Sequence, residues 1–486
     1  VFGSSARASS GLQLLLFCWA STRTAAMPDL ASMKSGMLGS TPASTKSASS
    51  NHPPTPGSVL IYSHSWLPGQ VDGVAVRIMA HVKALVERGV KVTVVTPDFV
   101  IDGSERKDLA PIPGVEHITL DTQYTPVYRK NLCMQLSIKN LRALMEVIRR
   151  TRPDIVHGTQ EASMQVLATA CILCNVPLVV SMHTDVATIA ACDSGFSQLG
   201  GLVGRLHARA AVFFVLWGYR NWAMAGSTFL PVSKQARSLL QSAGVRETRV
   251  VSETWGPMVD RRTFRIDLPE AEVAEARRHY TFGIPNAFLL VYVGRVTAEK
   301  DIQFLLDALD RAPQNVVLAL VGSGSMVAGL KERHGRGNRL HCTGEFVGRE
   351  QVATALRAAD CCVSASVMET IGFSAMEALS CGTPMLAANA QGFKEHLDHG
   401  VNARLWTPYD AASFDRELAA LMATERKGAW AREALRASME DASVDACTDR
   451  CLAAYQSVRR ANKRPFRVAL TVSMLALNWL VAATVG

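Results

Sequence analysis

Short runs of β-branched and other apolar residues recur along the middle of the chain, at 59–62, 90–95, 155–156, 178–181, 228–232, 288–293, 316–321, 361–363 and 385–388. Each is too short for a helix and most lack polar alternation, the pattern of a strand buried on both faces. Amphipathic, helix-length stretches separate many of them, among them 74–87, 136–150, 302–309 and 374–379. Strand, helix, strand in repetition predicts parallel sheets covered by helices, a doubly wound α/β architecture. The alternation breaks at 254–278, where Trp255-Gly-Pro-Met-Val-Asp260 precedes a charged stretch. That break predicts a linker, and with it two Rossmann-like domains, 58–253 and 254–445, facing one another across a cleft. A last helical segment and basic flank, 446–465, has no sheet partner of its own and is expected to cross back to the first domain.

Of the 486 residues 48% are apolar and 19% charged, enough apolar side chain for two cores and too much for a disordered or fibrous chain. The formal charge of +9 would suit a polyanion groove, but it lies at the ends. Arg7, Arg23, Lys34 and Lys46 stand against Asp29 at the start, and Arg459, Arg460, Lys463, Arg464 and Arg467 stand near the finish. A nearly neutral body with basic ends points to membranes or targeting, and no nucleic-acid partner is expected. Residues 1–57 are rich in Ser, Ala and Thr with a single acid, the composition of an organelle transit leader, here into a plastid; a merely disordered extension fits equally. Residues 466–486 are predicted to form a C-terminal apolar helix, because 468–486 carry no charge and at ~1.5 Å per residue nearly match a ~30 Å hydrocarbon layer. It would span a membrane, or lie in its interface or on the protein. Eleven cysteines in no metal-type spacing suggest buried thiols in a reducing compartment. Cys171 and Cys174, late in a helix, are expected to be core residues.

Candidate chemistry sits at the strand ends. The loop Ser65–Gly73 enters a helix with Gly69 and Gly73, either a phosphate-approaching turn or a plain βα connection. Gly294-Arg295 with Glu299-Lys300 follows one strand, and Gly322-Ser-Gly324 the next. Arg295 and Lys300 suit a diphosphate, one as a planar fork and one as a point charge. Glu369 follows the 361–363 strand, with Gly372 after it and Glu377 on the next helix among apolar neighbours. A buried carboxylate needs a partner, and a polyhydroxylated ligand would supply donors to both glutamates. His183, after the strand at 178–181, either bonds a sugar hydroxyl, shuttles a proton or is structural.

Taken in order, Gly73, His183-Thr184, Gly294-Arg295 with Glu299-Lys300, and Glu369 with Glu377 resemble the retaining GT-B glycosyltransferases of glycosyltransferase family 4, over about residues 59–421. Gly73 with Arg77, His183-Thr-x-Val186, the leader and the basic tail are most similar to the plastid sulfoquinovosyltransferases, which make sulfolipid from UDP-sulfoquinovose and diacylglycerol. The resemblance implies a membrane-attached enzyme passing a sugar from a nucleotide-sugar to a lipid acceptor. A family 4 mannosyl- or glucosyltransferase with another lipid or glycan acceptor and a non-catalytic sugar-nucleotide binder are the alternatives. It further implies that Arg295 and Lys300 hold the donor diphosphate and Glu377 the ribose. Glu369 with backbone near Gly372 would hold the transferred sugar, Gly73 and Gly322 would border the donor, and His183 would contact the sugar near the acceptor. No metal and no separate cofactor are implied. Ala365 stands where the family usually has Pro, Asp185 where it often has His, and Gln391-Gly392 where Gly-Gly is common.

Overall fold

The computed structural model describes residues 56–458, apart from 71, 102–107, 126–131, 162, 188–200, 333–338 and 426, together with Ser473. The leader at 1–57 lies outside the described residues except for its last two, and so does nearly all of the 466–486 segment. Strands are β1 (Ser58–Tyr62), β2 (Lys91–Pro97), β3 (Glu116–Leu120), β4 (Thr122–Tyr124), β5 (Leu132–Met134), β6 (Ile155–Thr159), β7 (Leu178–Met182) and β8 (Thr228–Pro231) in the first half. The second half has β9 (Phe288–Val293), β10 (Val316–Val321), β11 (Leu340–Cys342), β12 (Cys361–Ser364), β13 (Met385–Ala388) and β14 (Ala403–Trp406).

Two six-stranded sheets result, ordered β3-β2-β1-β6-β7-β8 and β11-β10-β9-β12-β13-β14, and every pairing within them is parallel. The order is the same in both and reverses once, between β1 and β6 and between β9 and β12. Loops leaving the strand ends at such a reversal diverge and open a crevice. Both sheets are Rossmann-like, as expected. Strand alternation splits the core: Val59 and Ile61 of β1 enter one apolar cluster while Leu60 and Tyr62 enter another. Leu289 and Val291 of β9 enter the first cluster too, with Leu290 and Tyr292 on the far face.

That shared cluster runs through the linker, where Trp255, Met258, Val259 and Phe264 are buried. Two differences from expectation stand out. Residues 270–278, predicted as linker, belong to the helix Glu270–Tyr280, which buries Val273 and Tyr280. The strands β3, β11 and β14 were not predicted; all three are sheet edges and only partly buried, so none shows a continuous apolar run. The helix Val444–Ser457 packs on the helix Gly73–Glu87 of the first half, with Arg88 bonded to Asp445 and Asp449 and His81 bonded to Thr448 and Tyr455. Among the described residues no helix is long and apolar enough to cross a membrane.

Candidate active site

In the second half the loops after β9 and β12 flank the strand-order reversal, so residues far apart in sequence meet there. Gly294 and Gly322 hold φ near +149° and +146°, and a Cβ on Gly322 would stand 2.0 Å from the Gly294 carbonyl oxygen. The loops after β9 and β10 are therefore pressed together in a way only glycine permits. Arg295 pairs with Glu299 at 3.1 Å on the exposed rim. Lys300 reaches Glu369, Nζ to Oε1 2.5 Å, with both side chains largely buried. The phenol of Tyr292, which donates to the Arg295 carbonyl, is pushed up in pKa by burial and then by the charge of Glu369, while Arg295 acts in the opposite direction. Arg295, Lys300 and Glu369 thus share one neighbourhood.

Gly372 sits at φ +77° and starts the helix Phe373–Ser380 without a side-chain cap; a Cβ there would strike the Phe393 ring at 2.3 Å. Glu377 lies one turn further along. Burial pushes its carboxyl up to about 7, and the Arg349 guanidinium at 3.3 Å offsets that only in part. Arg349, on the helix Arg349–Ala358, was not anticipated; its link to Glu377 is tertiary and leaves no local signature. Gly392 donates its N–H to the Glu369 carbonyl at 2.7 Å and leaves no room for a Cβ, 2.4 Å from the Thr370 oxygen. Gln391 before it holds φ +36°, a left-handed value that suits the glycine its position resembles.

The first half meets this site at Gly73. A Cβ on Gly73 would lie 2.7 Å from the Phe373 ring, so the glycine is what lets the two halves approach. Asp72 caps the helix Gly73–Glu87 through the Ala75 N–H. His183 is buried, its Nε2 2.7 Å from Ser181 Oγ, its ring 5.7 Å from Trp255. Burial, then the positive field of Arg77, hold its pKa well below the usual range, so at neutral pH it is an uncharged hydrogen-bonding group. Arg77 itself is fully buried, donates to the Gly256 carbonyl at 2.7 Å and lies 4.1 Å over Trp255. His81, His157 and Cys451 converge beside it. His81 and His157 both bond the Tyr455 hydroxyl, which ties the first half to the crossing helix.

A further bridge was not foreseen as one. Glu395 of the second half accepts the N–H groups of Lys234 and Gln235 at 2.7 and 2.8 Å, and so caps the helix Lys234–Ser242 of the first. A carboxylate at a helix N-terminus is favoured by the aligned peptide dipoles. Gln235 then reaches Asp185 at 3.2 Å, beside His183.

Residues 71–252 match the family model described as Glycosyltransferase Family 4, and residues 287–424 match Glycosyl transferases group 1. The GDP-mannose-dependent alpha-(1-6)-phosphatidylinositol dimannoside mannosyltransferase of Mycobacterium tuberculosis is 34% identical over 286 residues, 58% of this chain and 68% of that protein. This chain is a family 4 glycosyltransferase. The glycosyltransferase is also similar to the sulfoquinovosyl transferase SQD2 of Arabidopsis thaliana, 26% identical over 306 residues, 61% of this chain and 54% of that one. The alignment thus spans about half the length of that relative. The fold matches HepE of Anabaena, solved in complex with UDP and glucose, at a TM-score of 0.60 and 18% identity, covering 81% of this chain and 98% of that one.

As a glycosyltransferase, the molecule sets paired cations and carboxylates on the second half's side of the crevice, and on the first half's side buried imidazoles held neutral beside the buried Arg77. The charged wall, in the second half, suits an anionic leaving group and sugar hydroxyls; the wall in the first half suits an uncharged nucleophile.

Proposed function

We propose that this glycosyltransferase is a retaining, metal-independent enzyme that moves a hexosyl group from a nucleoside diphosphate sugar to a lipid hydroxyl. The observation that carries the reading is the Lys300–Glu369 pair at the strand-order reversal, on the loop that leads to Phe373, where Gly73 of the first half comes close. Arg295 and Lys300 take the diphosphate, Glu377 the ribose, and Glu369 with the backbone at Gly372 the transferred sugar. As the bond from the anomeric carbon to phosphate oxygen breaks, the cations take up the charge on the departing diphosphate. The acceptor oxygen bonds the anomeric carbon on the same face and gives its proton to a donor phosphate oxygen. Neutral His183 orients the sugar near the acceptor.

UDP-sulfoquinovose and diacylglycerol are the first substrates to test, supported by the similarity to SQD2 and by the leader and basic, apolar tail, which suit a plastid membrane. The 34% identity to a mannosyltransferase favours a second reading, GDP-mannose and an inositol-type lipid. Labelled UDP-sulfoquinovose, UDP-glucose and GDP-mannose, each offered with diacylglycerol or phosphatidylinositol vesicles, separate the two. Lipid-extractable product from the first donor, absent with Lys300→Ala, supports the first reading. Product from GDP-mannose alone supports the second, and no product from any donor overturns both.

A further inference from the structure

The helix Gly201–Ala225 has 25 residues, about 37 Å at 1.5 Å each. Its inner side is held in the first half's core by Tyr219, Trp222 and Ala225. Its outer side is apolar where a water-facing helix would be polar: Leu206 is 54% exposed, Phe213 62%, Phe214 44% and Met224 37%. Leu206, Phe213, the partly exposed Trp217 and Met224 are spaced by seven, four and seven residues, which sets them in one line along the helix. Exposed Arg209 and Arg220 run beside that line. No Asp or Glu occurs anywhere in 194–246.

We infer that this face lies on an anionic lipid surface, in the plane of the interface. The inference rests on the lipid-acceptor reading above and names the surface that would bring the enzyme to its acceptor. Charge decides the occupant. A second copy of the chain would bring the same arginines with no acid to meet them, whereas anionic headgroups neutralise Arg209 and Arg220 while the rings enter the acyl boundary. The helix is not apolar enough to span a membrane, and its inner anchoring to the core holds it parallel to whatever it touches. The position also fits: Tyr219 on its inner side bonds Gln160 at the end of β6 and senses the charge of Asp185 beside His183. The helix that carries the face therefore borders the first half's side of the crevice through its inner side.

Hydroxyl-radical footprinting of the full chain, with and without vesicles, reads each side chain separately from the tail at 466–486. With phosphatidylcholine–phosphatidylglycerol vesicles, oxidation of Phe213, Phe214, Trp217 and Met224 should fall several-fold, while Phe346 and Phe282, exposed elsewhere, stay unchanged. Phosphatidylcholine alone should protect less. The pair Phe213→Ser and Phe214→Ser should weaken the helix-dependent part of vesicle binding by about tenfold or more, and Arg209→Ser with Arg220→Ser should remove the preference for phosphatidylglycerol. Donor hydrolysis in detergent should be unchanged in both. Unaltered oxidation of the four residues on vesicles overturns the inference. So does protection that appears without lipid and scales with protein concentration, since it makes the face a contact between copies. If vesicles protect the helix but no donor yields a lipid product, the docking surface stands and the lipid-acceptor reading fails.

Discussion

Where the first sheet reverses its order, His64 and Thr159 face one another at 2.8 Å with no charge between them; where the second does, Lys300 and Glu369 face one another as an ion pair. The contrast extends outward. Around the first pair, burial lowers the pKa of His64, His81, His157 and His183. Around the second, Arg295, Glu299, Arg349 and Glu377 are all paired charges. One topology is thus used twice with opposite electrostatics. The parallel scaffold only brings two loops together; what they then attract depends on whether their groups keep charge. A diphosphate needs counter-charge as it leaves, whereas an attacking hydroxyl needs orientation in a site that does not compete for its proton.

The comparison breaks if charge matters equally on both walls. Lys300→Ala and Glu369→Gln should each lower transfer by about 10²–10³-fold, the scale of losing one preorganised charged contact to the leaving group or sugar. His64→Gln should cost about tenfold or less on the same scale. Steady-state transfer with a labelled donor, on variants whose melting temperature stays within about 3 °C of the parent, measures both. Equal losses at His64 and Lys300 would erase the division.

Next in size is the seam between the walls. Gly73→Val places branched atoms where a single Cβ already stands 2.7 Å from Phe373. It should lower kcat/KM about 10²-fold by holding the halves apart. Adding Phe373→Ala, which empties the opposing space, should recover a good part of that. A double variant no better than Gly73→Val would show that Gly73 acts through something other than this approach.

How far each wall was legible follows from the same contrast. The central strands were readable because burial on both faces leaves an unbroken apolar run, and Arg295, Lys300, Glu369 and Glu377 were readable because charges at strand ends are conspicuous against such runs. Edge strands β3, β11 and β14, half exposed, were not. Part of the first wall's chemistry was hidden for a different reason: His64 and Glu161 act through burial, which no local spacing reports, whereas Gly73, Arg77 and His183 stood in the motifs. Arg349 and Glu395 reach across from other elements, one to Glu377 and one to the N-terminus of the helix Lys234–Ser242. The helix Gly201–Ala225 carried a usable signal in its lack of acids, but its apolar residues lie on both sides and blur the period.

A smaller effect sharpens the comparison on the second wall. Glu377 stays partly ionised near neutrality only because Arg349 opposes the effect of burial. Arg349→Gln should raise the Glu377 pKa further, so that at pH 7 the carboxyl is protonated and would accept poorly from the ribose hydroxyls proposed for it. Donor KM should rise about tenfold at pH 7, and part of that rise should vanish at pH 9. A pH-independent KM penalty would mean Arg349 touches the donor itself.

The smallest effect separates the walls by stability. Glu161, at the end of β6, is buried and held by Ser163 and Tyr62, and burial pushes its carboxyl up to about 7 from an unfolded value near 4.5. A raised carboxyl contributes fully below about pH 4.5, and that contribution is lost as pH climbs through about 7. The buried His157 runs the other way: lowered to about 3 from 6.5, it contributes fully above about pH 6.5 and loses that contribution as pH falls toward 3. The first half is therefore strained by alkali through Glu161 and by acid through His157. Glu161→Gln keeps an acceptor for the Ser163 N–H and adds an amide that can donate to Ser163 Oγ, so it removes the alkaline loss while leaving the acid one. Relative to the parent it should melt about 2–4 °C higher at pH 8, equivalent to about 1 kcal/mol, with little or no gain at pH 5. An equal gain at the two pH values would mean that Glu161 is ionised across this range, and no gain at either would mean that it stays protonated through pH 8.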